Sequence, residues 1–304
     1  SNARGRPGLR TRVMSSVRSI TLIGVSTGIL GGFSYALSLE NYALLALGIQ
    51  IAVFAVHGAP KMSEKFYDAS GSLTHLALIL VSMLSSVTRS PRQQILSAFG
   101  IIWLTRLGSF LFQRILRDGR DTRFDKMKKN GTLAFFVPWV IQALWVFLID
   151  LPIILVNSLP SGGASVSILD MLGWPLWAFG FFFEIIADSQ KFAFRNDPKN
   201  HDKFITSGLW AYSQHPNYFG EILMWTAIAL SATGSFSHPV HALAWISPLF
   251  TYFLLLKVSG VPMLKKKADA KWKGQFGYDY YVKNTPEIIP KFIPTEIPSD
   301  KKSK

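Results

Sequence analysis

Long apolar runs separated by short polar segments constrain this chain more than any other feature. Eight runs can be drawn, at 20–39, 42–57, 73–88, 94–115, 133–157, 168–187, 218–233 and 241–256. An apolar helix of about 20 residues matches the ~30 Å hydrocarbon thickness of a bilayer. Only 16% of the 304 residues are charged, too few to coat a soluble fold of this size, since soluble domains carry about 25%. The expected fold is therefore all-α: a polytopic integral membrane protein with seven or eight transmembrane helices. Several runs are short enough for one to be re-entrant, and the first two, separated by Glu40 and Asn41, could form one broken hairpin. The expected organisation is a basic N-terminal segment over 1–19, a membrane domain over 20–292 and a basic tail over 293–304.

The charge is strongly positive, with 32 Lys and Arg against 18 Asp and Glu. It lies in short segments between apolar runs and at both ends, not over a soluble face with aromatic platforms, so nucleic acid is excluded as a partner. Segment 114–130 holds seven bases against three acids, and the chain from Lys257 holds eleven against five. By contrast, 158–170 has only Asp170, and 234–241 has no charged residue. Basic loops mark the cytoplasmic-type side; Arg89 and Arg92 are the exception. The N-terminal segment carries Arg4, Arg6, Arg10, Arg12 and Arg18 and no acid. This is the composition of an organelle transit segment, or of a cytoplasmic anchor attracted to anionic lipid. Absence of cysteine removes disulfides, thiolate nucleophiles and thiolate metal ligands.

In lipid, a charge inside a helix costs several kcal/mol, about 3 or more, unless it faces a partner or a polar cavity. The residues that break the apolar pattern are therefore the informative ones. Arg106 falls within 94–115, followed by Arg114 and Arg117 at helical spacing and then by a loop containing Arg120 and Arg123. Planar guanidinium forks suit phosphate. Glu184, Asp188, Lys191 and Arg195 form a second stripe, spaced to share one helix face. For its basic end, mutual neutralisation of Asp188 and Lys191 is an equally good account.

The strongest element is Gly208-Leu209-Trp210-Ala211-Tyr212-Ser213-Gln214-His215-Pro216-Asn217-Tyr218-Phe219-Gly220-Glu221, an aromatic and polar loop that runs straight into an apolar helix. His215 offers a donor and an acceptor, and Pro216 stiffens the turn. Asn217 is expected to cap a helix starting near Tyr218. Gly220 permits close backbone approach, and Glu221 places a carboxylate just inside the membrane. Further on, Tyr278, Tyr281, Thr285, Pro286 and Pro290 follow Lys265-Lys266-Lys267; they either close the site or belong to an amphipathic surface helix. The histidines His57, His75, His201, His238 and His241 lack metal-ligand spacing. Gly28, Gly31 and Gly32 lie in an apolar helix and are expected to serve packing.

Four stretches occur in an order that resembles a known family: TRLGSFLFQRILRDGRDTRF, EIIADSQKFAFR, GLWAYSQHPNYFGE, and SGVPMLKKKADAKW with YDYYVKNTPEIIP. Over residues 65–292 the chain is similar to the steroid 5-alpha-reductase C-terminal superfamily, in its branch known only as a domain of unknown function. The resemblance implies NADPH as cofactor, bound among the C-terminal helices and open to the cytosolic side. It implies cofactor-pocket roles for Asp188, Arg195, Tyr212, His215, Asn217 and Glu221, phosphate contacts for Arg120 and Arg123, and closure by Tyr278 and Tyr281.

Two departures qualify what it implies. Steroid reductases carry a Gln-Glu pair on an early helix and a Tyr on the next; here the matching positions read Val56-His57-Gly58 and Arg106. Glu221 and Arg106 are thus the catalytic candidates, although Arg106, with a pKa above ~12, is a poor general acid. The His-Pro-x-Tyr-x-Gly element is also shared with membrane methyltransferases that modify isoprenylcysteine or phospholipids with S-adenosylmethionine, but the glutamate pair those enzymes carry is replaced here by the lysine run.

The leading expectation is an NADPH-dependent oxidoreductase reducing a double bond of an apolar lipid, sterol or isoprenoid, in the endoplasmic reticulum or in a plastid or mitochondrial membrane. The alternatives are a methyltransferase, and a non-enzymatic accessory subunit of a membrane complex.

Overall fold

A computed structural model describes residues 9–85, 89–118, 121–159 and 165–298. The described residues form ten principal helices: α1 Leu9–Leu37, α2 Glu40–Val53, α3 Tyr67–Leu84, α4 Pro91–Asp118, α5 Thr132–Ser158, α6 Ile168–Asn196, α7 Pro216–Thr233, α8 Ile246–Phe253, α9 Val261–Trp272 and α10 Phe276–Asn284. No strand occurs among the described residues. Six helical stretches are long and apolar enough to cross a membrane: Val13–Leu37, Glu40–Lys61, Tyr67–Leu84, Thr132–Ser158, Ile168–Asn196 and Pro239–Trp272. The first extends well upstream of residue 20, into the segment expected to lie outside the membrane domain. The second continues past α2 through a π-helical turn at Phe54–Gly58. α1 and α2 are separate helices, divided at Ser38, whose φ of 55° breaks the helical path.

The chain divides into two compact units, Ser1–Val166 with Ser235–Ala244, and Ser167–Gly234 with Trp245–Lys304. In the first unit α5 is the central pillar, and α1, α2, α3 and α4 pack around it. Its composition explains this: an element apolar on every face can be buried on every face, and almost all of α5 from Phe135 to Asn157 is buried.

The exceptions to that apolarity lie seven or eight residues apart, on one side of the pillar, and each meets a polar neighbour. Gln142 Nε2 donates to the carbonyl of Tyr67 (2.9 Å) and to Ser70 Oγ (3.2 Å), while Gln50 Nε2 donates to Thr74 Oγ1 (2.8 Å). His75 Nδ1 pairs with Asp150 Oδ2 at 2.9 Å. Asn157 Nδ2 donates to Ser82 Oγ and Ser97 Oγ, both at 3.0 Å. The charge exception at Arg89 and Arg92 also resolves into the fold. Arg92 is fully buried and donates to the carbonyl of Ser165, and Arg89 Nε donates to the carbonyl of Met83.

In the second unit α6 and α7 run antiparallel in close contact. α6 starts with a capping box formed by Ser167 and Asp170. The two backbones meet through glycines. A Cβ at Gly173 would lie 2.9 Å from the carbonyl oxygen of Ala227, and one at Gly220 would lie 2.6 Å from that of Gly180 and 2.9 Å from Glu184 N. Gly220 thus permits the close approach expected of it. Gly28, Gly31 and Gly32 do not serve packing as expected, because a Cβ on any of them would meet nothing within 4 Å.

Candidate functional site

The segment between α6 and α7 is held by groups its own sequence supplies. Gly208 has φ +59°, and the Gln190 side chain fills the space a Cβ would need. Gln190 Oε1 accepts from Leu209 N at 2.8 Å. The indole N–H of the buried Trp210 donates to the Ala187 carbonyl at 2.9 Å. α7 then starts two residues earlier than expected. Its N-cap is His215 and Pro216 takes the first helical position, where no N–H is needed. Asn217 therefore lies inside the first turn and is not the cap, which corrects that expectation. Freed from capping, its buried Oδ1 has no hydrogen-bond partner.

The chain from 285 to 295 forms a strap over this segment. Gln214 N donates to the Pro286 carbonyl (2.9 Å) and Gln214 Nε2 to the Thr285 carbonyl (2.6 Å). Ser213 Oγ donates to the Ile288 carbonyl (2.7 Å). In return, Lys291 N donates to the Tyr212 carbonyl (3.1 Å) and Thr295 N to that of Ala211 (2.8 Å). Tyr281 and Tyr278 of α10 are both buried. The Tyr281 hydroxyl donates to the Trp210 carbonyl (2.7 Å) and that of Tyr278 to Asp269 Oδ1 (2.8 Å). Burial first, with neighbouring Asp269 for Tyr278 and Tyr278 for Tyr281, holds both phenols protonated far above neutral pH. Phe204 lies between their rings, 5.3 Å from Tyr278 and 5.9 Å from Tyr281. The buried tyrosines decide for closure over a free surface helix.

Loop, strap, α9 and α10 enclose a cavity of about 310 Å³. Its walls are aromatic (Phe204, Trp210, Trp272 and the two tyrosines), and its rim carries Lys191, Arg195, Lys203, Lys265, Lys267 and Lys271. Glu287 is the single acid among these lining residues. Lys191 does not simply neutralise Asp188: its Nζ sits 4.3 Å from the centre of the Trp210 ring, a cation–π arrangement. His215 also lines the cavity and stacks on Tyr218 at 5.3 Å with an interplanar angle of 15°. Burial, and then the nearby charge of Lys191, push the imidazole down to about 4. It is neutral at pH 7 and can donate at one nitrogen and accept at the other. Its Nδ1 is buried and has no partner. Such a chamber suits a ligand with an aromatic ring and several negative charges.

Of the residues singled out by sequence, Arg195, His215, Tyr278 and Tyr281 line the cavity. Asp188, Tyr212, Asn217 and Glu221 belong to the same unit but not to its lining. Asp188 and Glu221 both act electrostatically on Tyr218, next to His215. Tyr212 is tied to the strap through its backbone. Arg106 and Arg123 lie in the first unit. Arg106 is half-buried in α4, and Arg123 Nε donates to both carboxylate oxygens of Asp121 at 3.0 and 2.8 Å. Arg120, and the side chains of Arg114 and Arg117, lie outside the described residues.

Sequence reasoning missed Lys203, Lys265, Lys267 and Lys271 as wall residues. Lys267 and Lys271 are four apart, a spacing that could have pointed to one helix face. It also passed over His75 and Asp150 as parts of apolar runs.

An all-helical membrane protein whose second unit carries a basic, aromatic-walled chamber is the class these features define. The chain belongs to the family described as a protein of unknown function, DUF1295, which matches residues 53–285. No curated protein and no solved structure matches the chain.

Proposed function

We propose that this protein is a membrane-embedded oxidoreductase that uses NADPH to reduce a double bond of an apolar lipid, sterol or isoprenoid. The observation that carries this reading is the set of six cations on the rim of an aromatic cavity with one acid. NADPH carries three phosphate groups and an adenine ring, and so matches cations that surround stackable walls. S-adenosylmethionine carries no phosphate, so the same rim argues against methyl transfer. The cavity volume is at the lower end of ordinary ligand sites, about 300–1,000 Å³, which fits one phosphorylated nucleoside half. The unpartnered Nδ1 of His215, which lines the cavity, is fitted to receive a polar group of the other half.

When bound, the cofactor supplies the hydride, and the protein supplies binding and orientation. Arg195, Lys265, Lys267 and Lys271 hold negative charge at the rim. Trp272 and Phe204 offer faces for a base. His215, uncharged at neutral pH, serves as a hydrogen-bonding post. The similarity of the same stretches to the steroid 5-alpha-reductase superfamily supports the reading. Counting α4 and α7 as further crossings beside the six apolar stretches gives up to eight, in keeping with seven or eight transmembrane helices, in the endoplasmic reticulum or in a plastid or mitochondrial membrane.

Thermal unfolding of the purified protein in detergent tests the proposal. NADPH is expected to raise Tm, NADH to raise it less and S-adenosylmethionine not at all, and Arg195→Ala is expected to remove most of the NADPH effect. Stabilisation by S-adenosylmethionine alone, or by no nucleotide, overturns it.

A further inference from the structure

The strap carries a feature with no role in the cavity. Between Ile288, whose carbonyl accepts from Ser213, and Thr295, bonded to Ala211, runs Ile289-Pro290-Lys291-Phe292-Ile293-Pro294, held midway where Lys291 N donates to the Tyr212 carbonyl. Ile289 is 73% exposed, Ile293 76%, and the Phe292 ring is wholly exposed. The tip cannot easily fold these side chains away. Hydrogen bonds fix it at both ends, Thr285 and Thr295 share a buried hydroxyl bond of 2.7 Å, and Lys291 Nζ donates to the Asn284 carbonyl at 2.8 Å. Two prolines bracket its outer half and limit its backbone freedom. Three large apolar side chains held open in this way need an occupant.

The height of the strap along α6 indicates which. The strap is bonded to the 211–214 backbone, and that loop is pinned to α6 at Ala187 and Gln190. These positions lie six to nine residues inside the Ile168–Asn196 span. At a rise of 1.5 Å per residue, that is roughly 9–14 Å before its end. On the same stretch of α6, Ile186 and Phe192 are exposed apolar residues, as expected of a helix still in lipid. Lys283, in the last turn of α10, precedes the tip, with a stem long enough to lie along apolar surface and reach phosphate.

We infer that Ile289, Phe292 and Ile293 insert into the headgroup layer of the bilayer that the chain spans, and so fasten the cavity-closing strap to the membrane surface. Lipid is the occupant because the loop to which the strap is bonded is pinned to α6 where exposed apolar side chains continue, near the end of its apolar stretch. The inference is independent of the identity of the cavity ligand.

The chain has no cysteine, so single labelling sites are clean. Phe292→Cys, Ile293→Cys and, as a polar control on the same strap, Glu296→Cys would each carry an environment-sensitive fluorophore. The labelled proteins would be reconstituted in phosphatidylcholine liposomes with or without phosphatidylglycerol. Labels at 292 and 293 are expected to emit to the blue of the label at 296, to be quenched by shallow spin-labelled lipid, and to be several-fold less sensitive to aqueous iodide. Equal iodide quenching at all three sites overturns the inference. Shielding from iodide without quenching by lipid overturns it too, and identifies a protein surface as the occupant.

Discussion

His75 Nδ1 and Asp150 Oδ2 stand 2.9 Å apart between α3 and α5, and neither residue is more than 2% exposed. The rings of Trp103 and Trp145 approach the imidazole edge-on at 5.2 and 5.3 Å. His75 Nε2 and Asp150 Oδ1 have no partner, so the bond between the two side chains is their main compensation for leaving water. Removing one partner strands the other. Asp150→Ala is expected to destabilise the protein by about 3–5 kcal/mol, whereas a paired apolar replacement, His75→Leu with Asp150→Leu, should cost much less or nothing. Thermal and denaturant unfolding in detergent distinguish the two; equal losses for the single and double variants would remove the pair as a unit.

Gly220→Ala adds a Cβ 2.6 Å from a backbone oxygen and 2.9 Å from a backbone nitrogen, atoms that cannot rotate aside. The α6–α7 contact must then open, at a cost of about 1–3 kcal/mol. Gly28→Ala, in open space within α1, should be neutral or slightly stabilising, since alanine is favoured over glycine in a helix by up to ~1 kcal/mol. A lower Tm for the first and not the second checks the claim.

Because the His215 imidazole titrates near 4 when folded and near 6.5 when unfolded, the unfolded chain binds more protons between those values. Its contribution is constant above about pH 6.5, and stability falls as pH drops from there toward 4, by at most on the order of 3 kcal/mol. His215→Gln should flatten this part of the stability–pH profile. Below pH 6.5, a bound polyanion should offset the loss by favouring the imidazolium.

Tyr281→Phe deletes a buried hydroxyl and leaves the Trp210 carbonyl without that donor. The expected loss is about 1–3 kcal/mol, with weaker retention of any cavity ligand because α10 is then tied to the loop only through Gln214 and the strap. Limited proteolysis of the 285–295 segment should speed up in the variant.

Neutralising Lys265, Lys267 and Lys271 together should leave the fold intact, since all three are exposed. NADPH affinity should fall and become less sensitive to salt, because the attraction between exposed charges is screened over roughly 10 Å at 0.1 M. Titration at two ionic strengths reads both effects.

Long apolar runs made the helical frame of this fold legible. The apolar runs at 133–157 and 168–187 became α5 and α6 with modest shifts at their ends, because length and polarity alone select such helices. Gly220 was legible for a similar reason, since a glycine beside Phe219 on a helix admits few explanations. Asn217 was not. Asparagine caps helices often enough to suggest it, but Pro216 is the better first residue, and that moved the boundary by two residues. The lysine run of α9 suits a basic surface helix as well as part of a site, and nothing local reveals that α10 and the strap fold back to make a wall of Lys265, Lys267 and Lys271. His75 and Asp150 lie 75 positions apart, a separation at which no window of sequence shows a pair.

The strap sets an order of events. Thr295 bonds to Ala211 and Thr285 to Gln214, so the chamber has no wall on that side until more than eighty residues beyond Ala211 have been made. By then α6 and α7 are already synthesised and can lie against each other in the bilayer. Whatever the chamber holds can be captured only once synthesis has passed Thr295, and a ribosome that stops short of this point leaves an inserted protein with an open, ligand-free pocket.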